Sequence, residues 1–309
     1  MARYRFQAAL LAGWIALGAA GAGYARIKNI PSSAALPVLA AFLTAYPFYL
    51  VPGFPSLRER VSGPLYHLAA ALLPYLVGCF GALQFRWTSV GLLAALALTM
   101  AFWFRLLPRS RLTDLAFLAI IPAALLTRFL PSIYVPVDPK FRGEVVFLGH
   151  IALITMAFMT LLAERHAPDS GFGFLPTRRD WRIGGLHFLY FAPVGLLVAL
   201  PLHVVRFTGK APVLLLLPTF FGFLWTVALS EEFFIWGVLQ KLTAGSMAIP
   251  AAVFGLIHIG FRYFPNWGWV LLAAILGWFC GRARNQAGSI RAGMVTHALV
   301  FAAWRTFFS

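Results

Sequence analysis

Acidic residues are scarce. Nine Asp and Glu occur in 309 residues, against 25 Lys and Arg, and charged residues of both signs amount to 11%. A soluble domain carries about a quarter. The shortage excludes a disordered polar chain and a charge-laced coiled coil, and it speaks against an ordinary cytosolic enzyme. Cysteine is rarer still, with only Cys79 and Cys280. Two cysteines in separate apolar runs build neither a disulfide scaffold nor a metal-binding spacing, and both read as small core residues. There is no Walker loop, no dinucleotide fingerprint and no HExxH helix. What fills the chain is apolar: 61% of its residues are hydrophobic. The formal charge of +16 would suit a nucleic acid. Here, however, the basic residues stand singly or in small clusters between apolar runs, as in membrane-protein loops, so no nucleic-acid partner is expected.

A spanning helix needs about 20 apolar residues. The expected fold is all-α, a polytopic membrane protein of about eleven transmembrane helices, at roughly 6–24, 33–54, 64–84, 88–104, 115–134, 144–163, 184–204, 212–240, 247–264, 267–281 and 289–308. Continuous Leu, Ala and Phe runs lack the alternation of a transmembrane barrel. The first run follows Arg3 and Arg5, but Gly-Tyr-Ala-Arg after it is a poor cleavage site, so it reads as an anchor. With the N-terminus inside, inner segments hold fifteen Lys and Arg and outer segments nine, which favours that orientation.

The longest polar connection divides the chain into an N-terminal transmembrane region of about six spans (1–165), a polar basic linker (166–183) and a C-terminal five-span region (184–309). Within the linker, Arg178 to Arg182 either lies on the membrane surface, with Trp181 at the headgroups, or forms a solvated loop. Arg128, inside the span 115–134, is expected to snorkel toward the interface near Tyr134.

Seven carboxylates fall in loops or at span ends. The other two, Glu231 and Glu232, are adjacent and lie well inside 212–240. A charge at the bilayer centre costs at least about 2.5–3.5 kcal/mol on insertion scales, so such residues mark function. Among the histidines, His67, His150, His187 and His203 are isolated in apolar surroundings and read as packed or interfacial. His258 and His297 differ. At 1.5 Å per residue, Glu231 lies ~13 Å from the inner surface, His258 ~16 Å and His297 ~12 Å, so three helices bring them to one depth. A buried carboxylate beside imidazoles could activate a water for hydrolysis, bind zinc through Glu231, His258 and His297, or relay protons in a transporter.

The local sequences narrow this. Ser230-Glu231-Glu232-Phe-Phe-Ile-Trp236-Gly-Val-Leu-Gln240 resembles the first motif of the CPBP family, the CAAX prenyl endopeptidases and bacteriocin-processing or immunity proteins: Glu-Glu-x-x-x-Arg, often followed by Gly and Leu. Phe254 to His258 is similar to the second motif, Phe-x-x-x-His. Gly288-Ser289 leading to Thr296-His297 is similar to the third, in which Asn or Asp stands four residues after the His. The resemblance covers about 184–309. It implies an intramembrane endopeptidase in which Glu231 is the base that activates water, His258 its partner, Glu232 an electrostatic support and His297 a holder of the oxyanion. It leaves the cofactor open: none required, or a divalent metal such as zinc. It implies a peptide or protein substrate, lipidated or membrane-anchored, with membrane lipids as surroundings, in the plasma (inner) membrane of a bacterium.

Two positions depart from the motifs. The Arg is Trp236 here, and the Asn or Asp position is Phe301. Arg262, one turn beyond His258, is a candidate cation for Glu232 or else a snorkelling arginine. The departures keep open a catalytically silent relative, a scaffold or immunity-type protein. A proton-coupled transporter is a further alternative.

Overall fold

A computed structural model describes residues 2–167, 170–208 and 216–308, with side chains from residue 4 onward. The chain is a helical membrane protein, and no strand occurs among the described residues beyond two isolated bridges. It divides into two compact units, Met1–Ala167 and Pro168–Ser309.

The first unit holds α1 (Ala2–Ile27), α2 (Ser32–Leu50), α3 (Pro55–Val61), α4 (Pro64–Gly78), α5 (Trp87–Leu106), α6 (Arg111–Leu126), α7 (Phe129–Ile133) and α8 (Arg142–Met159), which continues through a π-helical turn, Thr160–Glu164. The last helix is buried along most of its length. Its π turn carries Thr160, which donates to the Met100 carbonyl at 3.1 Å and lies 3.0 Å from His67 Nε2. His67 is fully buried, and its Nδ1 reaches the Gly63 carbonyl at 2.9 Å. The expected packed histidine is thus a link between three helices. At one end of this unit Arg105 grips the Glu164 carboxylate in two bonds of 2.7 and 3.0 Å. Arg109 donates to the Glu164 carbonyl at 2.8 Å, and Arg165 grips Asp114 at 2.7 and 3.0 Å.

The second unit holds α9 (Arg178–Ala199), then α10 (Leu216–Phe223), α11 (Leu229–Glu232) and α12 (Gln240–Leu242), α13 (Ala248–Leu256), α14 (Trp267–Ala287) and α15 (Ile290–Phe307). The segments α10, α11 and α12 form one helix, Leu216–Leu242, widened by π-helical stretches at Leu224–Ala228 and Phe233–Leu239. Helices α9, α14 and α15 pack on one another, α13 lies on α14, and α10 and α11 lie on α15. Small residues permit the close crossings. A Cβ on Gly184 would stand 2.6 Å from the Ala292 carbonyl, and one on Gly255 would stand 2.5 Å from the Val270 carbonyl. Gly288, at φ +72°, ends α14, and Ser289 caps α15 by accepting from the Arg291 amide, as the Gly-Ser turn of the third motif suggested.

Among the described residues, six helices are long and apolar enough to cross a membrane: Tyr4–Ile27, Ser32–Gly53, Trp87–Leu106, Pro139–Glu164, Arg178–Ala199 and Leu216–Leu242. A seventh exists if α3 and α4, bent by 96°, count as one. Helix length and apolarity therefore support six or seven of the eleven expected spans. The rest differ for identifiable reasons. Span 115–134 breaks between α6 and α7, and Arg128 stands exposed at that break rather than within a helix. Span 247–264 is helical only to Leu256, about 14 Å of rise. Beyond it the chain turns back, with the Asn266 amide donating to Ile259 at 2.7 Å and the Asn266 side chain to the Phe261 carbonyl. Helices α14 and α15 have the length, but Arg282, Arg284, Asn285 and Gln286 in the one and Arg291, Thr296 and His297 in the other dilute their apolarity.

The basic stretch Arg178 to Arg182 is not a loop. It is the first turn of α9, opened by a capping box. Thr177 accepts from the Asp180 amide at 3.2 Å, and Asp180 accepts from the Thr177 amide at 2.8 Å. Asp180 also pairs with Arg291 at 3.2 Å, tying α9 to the start of α15.

Candidate active site

Glu231 and Glu232 occupy the four-residue α-helical island between the two π-helical stretches of their helix. A π stretch changes the rotation per residue, and such bulges are frequent at functional sites. The island turns Glu232 inward to full burial, while the Glu231 side chain keeps 23% of its exposure.

Glu231 Oε2 lies 3.9 Å from His258 Nε2 and 3.8 Å from His297 Nε2. Both separations are too long for a direct hydrogen bond, and spacing of this kind is commonly bridged by water. His258 sits in the first turn after α13, where its Nδ1 is bonded to the Phe254 carbonyl at 2.7 Å. That bond makes Nδ1 the protonated nitrogen and leaves Nε2, facing Glu231, free to accept. His297 comes from α15 and is 5% exposed at its side chain. Its Nδ1 meets Glu232 Oε1 at 3.2 Å. Glu231, His258, Glu232 and His297, named from sequence as one cluster, thus lie together. They meet although His258 lies past the end of its helix.

The second carboxylate is held by small residues. A Cβ on Gly293 would lie 2.2 Å from Glu232 Oε2, so glycine there leaves the carboxylate its place beside α15. Cys280 of α14 is the other polar neighbour. Glu232, Cys280 and His297 are all buried, and one donor atom from each lies within 4.8 Å of the others. The link between Cys280 and Glu232 has no trace in spacing, because the two stand on separate helices and the cysteine reads as core.

The two departures from the motifs are visible as packing. Trp236 is fully buried, with its indole over Gly281, where a Cβ would be 2.3 Å from the ring. A Cβ on Gly277 would likewise be 3.0 Å from Phe254, so the glycine face of α14 at Gly277 and Gly281 is a seat for aromatic rings. Phe301 lies parallel to Phe223 at 3.8 Å between centroids, and Phe223 and Phe254 each meet the His297 ring edge-on at 5.1 and 5.3 Å. These rings close the His297 side of the cluster, while Glu231 and His258 keep its exposed side. Arg262 does not reach Glu232. It donates to the Val204 carbonyl at 3.3 Å and lies over the Trp269 and Trp304 rings, so the carboxylate's expected replacement cation is engaged elsewhere.

The cluster falls inside a stretch of known character. Residues 213–303 match the family model described as type II CAAX prenyl endopeptidase, Rce1-like. The match spans α10 to α15 and contains Glu231, Glu232, His258 and His297, so the resemblance read from the three motifs stands for this C-terminal part. No curated protein and no solved structure matches the chain. The Rce1-like stretch begins after α9, and it leaves the first unit outside.

Proposed function

We propose that the chain is a membrane-embedded endopeptidase of the CAAX-protease type, with Glu231 and His258 activating the attacking water. The observation that carries this is the Glu231 carboxylate lying between two imidazoles at 3.8–3.9 Å on the open side of an otherwise buried Rce1-like cluster. Water held by Glu231 Oε2 and His258 Nε2 gives its proton to the carboxylate as its oxygen bonds to the scissile carbonyl carbon. The C–N bond of the tetrahedral adduct then breaks, and the proton passes to the leaving amine. One water is consumed, and one acid and one amine are released. His297 Nε2 faces the same space and holds the oxyanion when it carries a proton. Glu232 acts through His297, whose ring it orients.

The substrate in this reading is a peptide or protein presented from the bilayer, lipidated or membrane-anchored. The protein itself sits in the inner membrane of a bacterium with its N-terminus inside. The test compares protein termini in host membranes with wild type and Glu231→Gln at equal expression. Loss of a general base lowers the rate by about 10²–10⁴. A terminus that vanishes in the variant and returns with wild type supports the reading and names the substrate. If no terminus changes although the protein is folded and abundant, the reading fails.

A second reading is a silent relative that keeps the fold as a scaffold or immunity-type protein. Trp236 and Phe301 favour it: Trp236 brings no positive charge to Glu232 where the motif has Arg, and Phe301 has no polar group where the motif has Asn or Asp.

A further inference from the structure

We propose that Glu232, Cys280 and His297 form a buried binding site for one soft divalent cation of the zinc type. The three come from α11, α14 and α15, and their donor atoms lie within 4.8 Å of one another. A thiol, an imidazole and a carboxylate make a zinc donor set, whereas calcium and magnesium take oxygen ligands. A second observation points into the same place. Glu232 has no exposure at all, and among the described residues its Oε2 meets no strong donor, only the Cys280 thiol beside it. A thiol is a weak donor for a buried carboxylate, and a cation coordinated by both groups would serve each better. Among the described residues, His297 is the cation-forming side chain paired with this carboxylate. Position 236 is tryptophan, and Arg262 is turned to Val204.

Binding has a defined proton balance. The metal–sulfur bond forms as the Cys280 thiol releases its proton, and the metal–nitrogen bond needs an unprotonated His297 Nδ1. His297 then keeps its proton on Nε2, which lies 3.8 Å from Glu231 Oε2. The cation would therefore fix the tautomer that an oxyanion donor requires, while the bond between Nδ1 and an ionised Glu232 favours the opposite one. Only this last consequence rests on the peptidase reading, and the site itself does not.

The experiment is a Co2+ titration of the purified full-length protein in detergent, followed by Zn2+ competition. Wild type should take up one equivalent of Co2+ with a thiolate-to-cobalt charge-transfer band and the visible bands of tetrahedral coordination, both abolished by Zn2+. Cys280→Ser should lose the thiolate band. Glu232→Gln should weaken binding at least about tenfold. Cys79→Ser and Glu231→Gln should keep the spectrum, and the latter separates metal binding from proteolysis. The wild-type spectrum needs no variant: if folded protein shows no thiolate band, the proposal fails. It fails equally if the band survives Cys280→Ser.

Discussion

A methyl group added at Gly293 would sit 2.2 Å from Glu232 Oε2 and 3.2 Å from the Cys280 carbonyl. Gly293→Ala must move the carboxylate or push α15 away, and overpacking of this kind costs about 1–3 kcal/mol. The expected outcome is a lower midpoint in chemical unfolding, together with reduced cleavage of whatever substrate the terminus comparison names. A full-strength Gly293→Ala enzyme would show that Glu232 is not held where the structure has it. Gly281 poses the same problem with a different remedy. Its added Cβ would lie 2.3 Å from the Trp236 ring, so Gly281→Ala should destabilise by a similar amount, and Gly281→Ala combined with Trp236→Leu should recover part of the loss. Contacting residues give such non-additive cycles, whereas independent ones give simple sums. Neither glycine role could be read from sequence. The motif registered Trp236 only as a missing arginine, and the residue that accommodates its bulk stands 45 positions later on another helix.

At the scale of elements, the apolar runs predicted helices well and their interruptions poorly. Helix α2 follows its run closely because nothing in the run breaks it, Pro37 and Pro47 notwithstanding. Helix α13 stops at Leu256, beyond which the Asn266 bonds to Ile259 and Phe261 turn the chain back, and a hydropathy window averages over such features. The π stretches on either side of Glu231 and Glu232 have no compositional mark either, since they follow from how the helix wraps its neighbours. The start of α9 was legible in principle. Thr177-Arg-Arg-Asp180 fits the capping-box pattern, but its basic residues suggested a surface segment instead. Thr177→Ala should therefore destabilise the second unit by about 1 kcal/mol, with Thr177→Ser close to wild type in the same thermal-melt measurement. In the first unit the exposed part of the charged cluster deserves less weight than its buried member. Arg105 is 39% exposed at its side chain, so water screens its two-bond pair with Glu164 more than it screens a buried one. Asp114 is 4% exposed at its side chain and takes two bonds from Arg165. Asp114→Asn should lower stability by about 1.5–3 kcal/mol, the range for hydrogen bonds to charged groups. Arg105→Gln should cost less than Asp114→Asn in the same measurement.

At the scale of the molecule, the hydrogen bonds sort the connections of each unit into two ends, and the membrane makes those ends two sides. In the first unit Arg109 donates to the Glu164 carbonyl, which brings the α5–α6 and post-α8 connections together. The Gln84 amide donates to Val135 and the Val137 amide to Ala82, which joins the α4–α5 and α7–α8 connections. In the second unit Asn285 reaches Met247 and Arg179 reaches the Gln286 carbonyl, while the Thr208 amide donates to Phe307. Single cysteines placed in a Cys79→Ser background at 109 and 166 should react with an impermeant maleimide from one side of sealed vesicles, and those at 84 and 137 from the other. A second set at 246 and 286 should likewise oppose one at 207 and 308. Buried Cys280 should stay silent throughout. The Lys and Arg bias adds which side is which: 109, 166, 246 and 286 should label from the cytoplasmic face. Reaction of 109 and 84 from the same side would mean that α5 does not cross. Opposite labelling of the pairs with every cytoplasmic assignment inverted would keep the fold and reverse the N-terminus, and the open face of Glu231 and His258 would then have to be sought by substrates from the other leaflet.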